Sequence, residues 1–194
     1  MNFYAFRSGA LVIAACVLLP CMGALAQTRA TPSDVAAQPK AGGTKLTSND
    51  RKFLVDAAMG GMAQVESGRL AQQKAASNLV KQFGGRMMTD HGQANDELQQ
   101  IAESKGVTLP TEPDPSTRKE LDKLANLSGA AFDREYMARM LADHRKDVAE
   151  FKKASESAKD GEIKAFASKT LPTLEDHLKQ AQSLNGSVSS SLRP

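Results

Sequence analysis

Several of the residue types that carry enzyme chemistry are scarce in this chain. Its 194 residues include no tryptophan, two cysteines and three histidines. Both cysteines, Cys16 and Cys21, lie in an apolar N-terminal segment, and no serine lies in a recognisable triad or nucleophile-elbow motif. If that segment is removed, the rest of the chain has neither a disulfide nor a cysteine nucleophile. Nucleophilic catalysis is therefore unsupported, and an enzymatic function is less favoured than a binding function.

A strong charge of either sign is also missing. The chain has 25 Lys and Arg residues against 22 Asp and Glu residues, which gives a formal net charge of +3 at pH 7. The basic residues form no block of the kind that binds a phosphate backbone. Nucleic acid is therefore not expected as a partner.

The one long apolar run lies at the N terminus and is typical of a bacterial signal peptide. Arg7 precedes the apolar residues 10–19, and the small-residue triplet Ala24-Leu25-Ala26 follows them. This is the order of a charged region, an apolar region and a cleavage site. The run is shorter than the about 20 apolar residues that a membrane-spanning helix needs. We predict that residues 1–26 are a signal peptide and that cleavage leaves a mature chain without a transmembrane span.

The predicted location of the mature chain is the periplasm, either free or peripheral to the outer membrane. An alternative interpretation takes residues 13–16 as a lipoprotein signal, with Cys16 acylated. Three apolar residues, 17–19, would then remain at the N terminus of the mature protein. Because such a remnant is unusual, the lipoprotein interpretation is the less favoured one.

Composition divides the mature chain into a leader, a folded domain and a tail. Residues 27–47 are rich in Thr, Ala, Pro and Gly and poor in large apolar side chains, which predicts a flexible leader. In residues 48–185 the apolar residues recur with helical period, which predicts the folded domain. Residues 186–194 are low in apolar content and are predicted to be a disordered tail. Thr47 and Asp50 fit a capping box at the start of the first helix.

The domain is predicted to contain four long helices and one short one. The long helices cover residues 49–76, 78–105, 131–158 and 161–184. Gly106 ends the first pair, and a short helix opens near Thr117 and closes at Ser128-Gly129. Two hairpins joined by a connector of roughly 25 residues predict an all-α, ferritin-like four-helix bundle with a long crossover. An up-and-down bundle, in which the connector folds locally, is the alternative.

The three histidines occupy inward positions on three different helices. His91, His144 and His177 each lie within the apolar stripe of their helix, and Glu66 falls within the apolar arc of the first helix. At a rise of 1.5 Å per residue, Glu66 and His91 lie about 17 to 21 Å from the first hairpin turn. The other two histidines lie about 24 to 26 Å from the second turn. In a crossover bundle the turns are at opposite ends, so all four side chains are expected to converge near the middle.

Three imidazoles and a carboxylate at one level of an apolar interior are typical of a mononuclear site for copper, zinc or iron. The predicted metal ligands are Glu66, His91, His144 and His177. Three methionines lie one turn before the first three of these residues and are candidate outer contributors: Met62, Met87 and Met140. Thioethers favour copper(I), so these methionines point to copper within the set of three metals.

Each of these groups also has a purely structural interpretation. A buried histidine is commonly a core residue whose ring is satisfied by a hydrogen bond. Glu66 could form an ion pair with Arg69 on the same helix. The aspartates that directly precede the histidines point about 100° away from them around the helix and are expected to contact solvent or a neighbouring helix.

Di-iron chemistry is disfavoured by the residues around the histidines. Di-iron carboxylate bundles use Glu-x-x-His on two helices and a glutamate from each of the others. The positions three residues before the histidines are Met88, Leu141 and Leu174. The carboxylates that bridge two irons are therefore missing.

Four segments resemble a family of bacterial exported proteins that carry a ferritin-like domain of unknown function. The segments read FLVDAAMGGMAQVESGRLA, VKQFGGRMMTDHGQANDEL, FDREYMARMLADHRKDVAEF and FASKTLPTLEDHLKQAQSL. The resemblance covers about residues 50–184, and members are often labelled predicted outer-membrane proteins. It implies the ferritin-like fold and export, and it implies almost nothing about activity.

Three hypotheses of function follow. The first is a periplasmic bundle that binds one transition metal through the predicted ligands. The second is a non-catalytic envelope interaction or stress protein, with an envelope protein or a second copy of itself as partner and with structurally buried histidines. The third is an enzyme that uses the site, for example in oxidant removal, and it is the least favoured because no sequence feature selects a substrate.

Overall fold

A computed structural model describes residues 46–190 and forms them into five helices, with no β-strand in that range. The helices are α1 (Ser48–Lys74), α2 (Asn78–Ser104), α3 (Pro115–Ala125), α4 (Gly129–Ser157) and α5 (Gly161–Ser190). The predicted all-α class is thus confirmed. The predicted signal peptide and all but the last two residues of the predicted leader lie outside the described residues. Over the described range, no helix has both the length and the apolar character that crossing a bilayer requires.

The two helical hairpins turn at opposite ends of the bundle. α1 packs along α2, and α4 packs along α5. At one end, Ala75 after α1 forms a backbone bridge with Gly129 at the start of α4. At the other end, Lys105 after α2 forms an ion pair of 2.9 Å with Asp160 in the α4–α5 turn. The connector therefore runs the length of the bundle, which is the predicted crossover and excludes the up-and-down alternative.

Two buried aspartates tie the ends of the bundle together. Asp50, in the first turn of α1, accepts hydrogen bonds from two backbone N–H groups of the α4–α5 turn at 3.2 and 3.3 Å. Asp133, near the start of α4, accepts from two backbone N–H groups of the α1–α2 turn at 3.1 and 2.9 Å. Each hairpin therefore begins with an aspartate that satisfies the turn of the other hairpin.

This arrangement corrects the predicted capping box at the start of α1. The hydroxyl of Thr47 accepts a hydrogen bond from the N–H of Asp50 at 3.1 Å, as predicted. The Asp50 carboxylate does not turn back to its own helix, because the α4–α5 turn offers it two N–H groups in a buried position. Leu46, which the sequence assigned to the flexible leader, packs against the core.

The connector begins where the sequence predicts and reaches its short helix earlier. Gly106 ends α2 with a φ of 65°. The backbone N–H groups of Gly106 and Val107 donate to carbonyl oxygens of the last turn of α2 at 3.0 and 2.8 Å. α3 begins at Pro115 rather than near Thr117, because the side chain of Asp114 accepts from the backbone N–H groups of the first turn.

Helix α5 is longer than predicted. The sequence places its end at Leu184 and a disordered tail from residue 186, whereas α5 continues to Ser190. Leu184 and Val188, one turn apart on the same face, both pack against the core. This apolar pair holds a last turn that its small polar residues alone would not favour.

The apolar core is divided into two clusters by a layer of buried polar side chains. The cluster toward the α4–α5 turn includes Leu54, Leu98, Phe151 and Leu174, and the cluster toward the α1–α2 turn includes Leu70, Met87, Met140 and Ala181. The layer between them contains Gln64 and Ser67 from α1, His91 from α2, His144 from α4 and His177 from α5. Burying polar groups costs free energy unless they form hydrogen bonds or bind a ligand. This layer is therefore the candidate functional site.

Candidate metal centre

The fold brings the three histidines together from three helices. The ring centroids of His91, His144 and His177 lie 5.3 to 5.6 Å apart. One ring nitrogen can be chosen from each so that all three lie within 4.8 Å of one another. The side chains of His144 and His177 are fully buried, and His91 is 7% exposed. The predicted convergence of the histidines at one level is therefore what the structure contains.

The ring of His144 is oriented by its own helix. Its Nδ1 lies 2.9 Å from the backbone carbonyl oxygen of Met140, one turn earlier. A carbonyl oxygen only accepts, so Nδ1 carries the proton and donates it. The remaining nitrogen, Nε2, then has a free lone pair, and it is buried without a hydrogen-bond partner.

The ring of His177 is oriented by a neighbouring helix. Its Nε2 lies 2.8 Å from Oδ2 of Asp90 on α2, and Arg86 donates to the same oxygen at 3.0 Å. Arg86 also pairs with Asp176 at 2.6 Å, so the guanidinium connects the two carboxylates. With Nε2 donating to Asp90, the lone pair lies on Nδ1, which is buried without a partner. A carboxylate that holds the far side of an imidazole is a recurrent feature of metal-binding histidines.

His91 completes the set of unpartnered nitrogens. Its Nε2 is buried and makes no hydrogen bond within the described part of the chain. Each of the three rings therefore has one buried nitrogen without a partner: Nε2 of His91, Nε2 of His144 and Nδ1 of His177. Leaving a buried polar atom unsatisfied costs about 1–3 kcal/mol, and three in one layer is the arrangement that a common ligand would relieve.

The environment keeps all three imidazoles neutral at pH 7. Burial lowers the pKa of His91 well below its ordinary value, and the nearness of His144 and His177, which would repel a second proton, lowers it further. Burial lowers the pKa of His144 to about 4, against the opposing effect of its bond to Met140. Burial also lowers the pKa of His177, although Asp90 acts in the other direction. Neutral imidazole is the form that binds a metal ion.

Phe83 supports the rings from the α1–α2 end. Its ring meets His144 edge-on with centroids 6.3 Å apart and meets His177 edge-on at 6.4 Å. Aromatic packing of this kind limits the rotation of the imidazoles. Two of the three rings are therefore held by a hydrogen bond on one side and by an aromatic ring on another.

Glu66 is not brought to the histidines. Its carboxylate lies 2.9 Å from Nη1 of Arg118 on α3, and its side chain is 32% exposed. α3 packs against α1, and the ion pair with Arg118 holds the Glu66 side chain toward α3 rather than among the histidines. Gln64 and Ser67 are the polar residues that α1 buries in the layer. The predicted four-ligand set is therefore reduced to three histidines.

The three candidate methionines divide in the same way. Met87 and Met140 are fully buried in the core cluster next to the histidine layer. Met62 is half-buried and lines an outer groove together with Glu66. Met140 also contributes its carbonyl oxygen to the orientation of His144. Met87 and Met140 therefore pack in the core beside the histidine layer, and Met62 lies outside that layer.

A small cavity reaches the layer at His91. Its volume is about 30 Å³, room for one or two water molecules, and its lining includes Asp147 and Asn95 beside His91. The Asp147 carboxylate has no hydrogen bond or ion pair in the described structure. Burial, together with the negative charges of Asp143 and Glu150, raises its pKa to about 7.

Sequence reasoning missed two residues of this site, Asp147 and Gln64, and anticipated the kind of contact made by a third, Asp90. Asp147 lies one turn after His144, a spacing that places both on one side of α4, but a lone aspartate at that spacing is usually solvated. Asp90 belongs to an Asp-His pair, and the expectation of a contact with a neighbouring helix is met at His177. Gln64 gave no sequence signal, although its side chain is buried in the layer.

The fold and the site together define the class of this protein: a crossover four-helix bundle whose core holds three buried histidines with free ring nitrogens. Residues 23–184 match the family described as domain of unknown function DUF4142, and the chain belongs to that family. This is consistent with the resemblance to a domain of unknown function. None of the curated proteins matches the chain.

Several solved structures share the fold. A DUF305 fragment from Deinococcus radiodurans superposes with a TM-score of 0.64 at 11% identity, covering 73% of this chain and 97% of the fragment. A presumed secreted DUF305 protein from Streptomyces coelicolor gives 0.63 at 16% identity, covering 73% and 94%. CopM in its Cu(I)-bound form gives 0.59 at 18% identity, covering 69% and 93%, and in its Cu(II)-bound form 0.58 at 16% identity, covering 71% and 96%. At these identities the similarity concerns the fold alone.

Proposed function

We propose that this protein binds a single transition-metal ion through His91, His144 and His177, with copper as the first candidate. The observation that carries the proposal is the set of three buried ring nitrogens without partners, one from each histidine. The residues fit a metal because the other nitrogens of His144 and His177 are already committed to fixed acceptors. A metal ion bound there would accept three neutral lone pairs and act as a Lewis acid.

The alternative of purely structural histidines is less favoured by the same contacts. A histidine that only fills a core is expected to satisfy both polar nitrogens or to be replaced by an apolar residue of similar size. Here one hydrogen bond per ring orients His144 and His177 and leaves the second nitrogen buried and unsatisfied. The three histidines, one from each of three helices, each carry the cost of one buried and unsatisfied ring nitrogen. Such a concentration of unsatisfied groups at one place is expected of a binding site.

Copper is preferred over zinc and iron on two grounds. Imidazole binds all three metals, but among divalent first-row ions copper binds a given nitrogen site most tightly. The second ground is the shared fold with CopM, which has been solved with Cu(I) and with Cu(II). Iron is least favoured because no carboxylate lies among the three candidate ligands.

Export to the periplasm is part of the proposal. The predicted signal peptide at residues 1–26 supports it, and so does the fold shared with a presumed secreted protein. Once the predicted signal peptide is removed, the exported chain has no cysteine that could bind a metal ion. Within residues 46–190, the three histidines form a group that could hold such an ion.

An equilibrium titration tests the proposal. Calorimetry of the purified protein with Cu²⁺, Zn²⁺ and Fe²⁺ is expected to give one ion per chain, bound most tightly for copper. Glu66→Gln is the matched control, because the structure takes this carboxylate away from the site and its replacement is expected to leave the Kd unchanged within about twofold. Absence of binding for all three ions would contradict the proposal and favour the envelope interaction protein, with an envelope partner or self-association.

A further inference from the structure

The cavity beside His91 lies on the seam between the two hairpins. The packing of α1 against α4 is much less extensive than the packing inside either hairpin. On α1 the cavity is lined by small residues, among them Gly60. A Cβ added at Gly60 would meet no atom within 4 Å. The seam therefore has open space at this position.

Three acidic residues line the cavity: Asp56, Asp147 and Glu150. Asp56 and Glu150 line it with side chains that are 28% and 40% exposed. Both carry an ion pair with a lysine of their own helix. Asp147 lines the same cavity and has no ion pair or hydrogen bond in residues 46–190. Asp147 is thus the one acidic residue of this lining without a local partner among residues 46–190.

His91 is where the cavity meets the histidine layer. It is the one of the three histidines that lines the cavity, and it retains 7% exposure while the other two have none. Its Nε2 is buried without a partner. A cation that occupied the cavity would therefore lie between an unpaired carboxylate and an unpaired imidazole.

We propose that this cavity is a second, transient cation site, in which the Asp147 carboxylate binds a divalent cation on its way to the three histidines. The inference rests on the proposed function, because it assigns the access route of the same ion. Carboxylate oxygens bind divalent cations but compete poorly with three imidazoles for copper or zinc. The ion is therefore held briefly at Asp147. It then passes to His91, which lines the cavity and also belongs to the histidine cluster.

A residue on the access route changes rates without changing the equilibrium. Asp147→Asn removes the carboxylate while keeping the shape of the side chain, and Gly60→Leu fills the open space on the seam. Each variant is expected to lower the association and the dissociation rate constants together by about tenfold, the lower end of what focused charge contributes to capture. The Kd is expected to change by less than about threefold, because neither residue contacts the ion once it is bound.

Stopped-flow kinetics with Cu²⁺ and with Zn²⁺ measure both rate constants for the wild type and the variants. Gly60→Ala is the matched control, since it adds one methyl group to the same position, improves helix propensity and leaves the seam open. Circular dichroism establishes that each variant is folded. Asp147→Asn provides an independent test if Gly60→Leu disturbs the helix packing.

The outcomes separate this inference from the proposed function. Wild-type protein that binds neither ion overturns both. Wild-type protein that binds, with unchanged rate constants in Asp147→Asn and in Gly60→Leu, overturns the access route alone. A Kd that rises more than tenfold in Asp147→Asn, with faster dissociation, also overturns it, because Asp147 would then be a permanent ligand.

Discussion

Replacing His144 with leucine is expected to abolish tight metal binding and at the same time to stabilise the metal-free protein. The substitution removes one of three candidate ligands, so the Kd for Cu²⁺ is expected to rise by at least about 100-fold, more than the loss of a supporting residue costs. It also removes a buried, unpartnered Nε2, whose desolvation costs about 1–3 kcal/mol. Loss of the hydrogen bond to Met140 costs about 0.5–1.5 kcal/mol and offsets part of that gain. A net gain of about 1 kcal/mol in the free energy of unfolding is therefore expected.

Urea unfolding in the presence of a chelator measures the stability, and calorimetry measures the binding. Met140→Leu is the matched control, because it lies one turn away, is equally buried and exchanges one apolar side chain for another of similar volume. The control is expected to bind the ion as the wild type does. A His144→Leu protein that is less stable by more than about 1 kcal/mol and still binds the ion with wild-type affinity would show that His144 is a structural residue.

The second large effect is on the pH dependence of stability. In the unfolded chain a histidine titrates near its ordinary pKa of about 6.5, whereas burial lowers the pKa of His144 in the folded protein to about 4. Between these values the unfolded state binds more protons, so acid shifts the equilibrium toward unfolding. At 1.36 kcal/mol per pKa unit, about 3 kcal/mol is lost as the pH falls from about 6.5 to about 4. The effect is absent above about pH 7 and complete below about pH 4.

Other buried groups act on the same profile, so the prediction concerns a difference between two proteins. The pKa values of His91 and His177 are also lowered, which adds to the loss in acid. The pKa of Asp147 is raised to about 7, which opposes it, since its folded form takes up a proton before its unfolded form does. The metal-free His144→Leu protein lacks the His144 contribution and the part of the His91 shift that is due to His144. Its advantage over the wild type in urea is therefore expected to grow by about 3 kcal/mol from pH 7 to pH 4, and an advantage that stays constant with pH would contradict the burial of a neutral His144.

The fold was predictable because local signals agree with the global packing. The apolar periodicity of the long helices and Gly106 after α2 mark boundaries that the structure contains. The crossover could be inferred only as the favoured choice, because the decisive contacts are made by Asp50 and Asp133 across more than 50 residues. Such contacts have no sequence pattern of their own.

The histidine cluster was predictable for the same reason, and its surroundings were not. Depth along the helices and the apolar stripes bring His91, His144 and His177 to one level, and both properties are local. This reasoning does not place Glu66 correctly, because Arg118 on α3 pairs with its carboxylate and the side chain stays partly exposed. An amphipathic arc shows that a helix face is covered, but it does not show whether the bundle interior or a connector covers it.

The position of the bound ion is the most direct test of the central claim. A crystal structure of the copper-loaded protein, with diffraction data collected on both sides of the copper absorption edge, locates the metal without reference to any substitution. We expect one anomalous peak per chain, in contact with Nε2 of His91, Nε2 of His144 and Nδ1 of His177. A loaded protein whose copper lies elsewhere, with the three ring nitrogens still unpartnered, would contradict the assignment of this layer as the metal site.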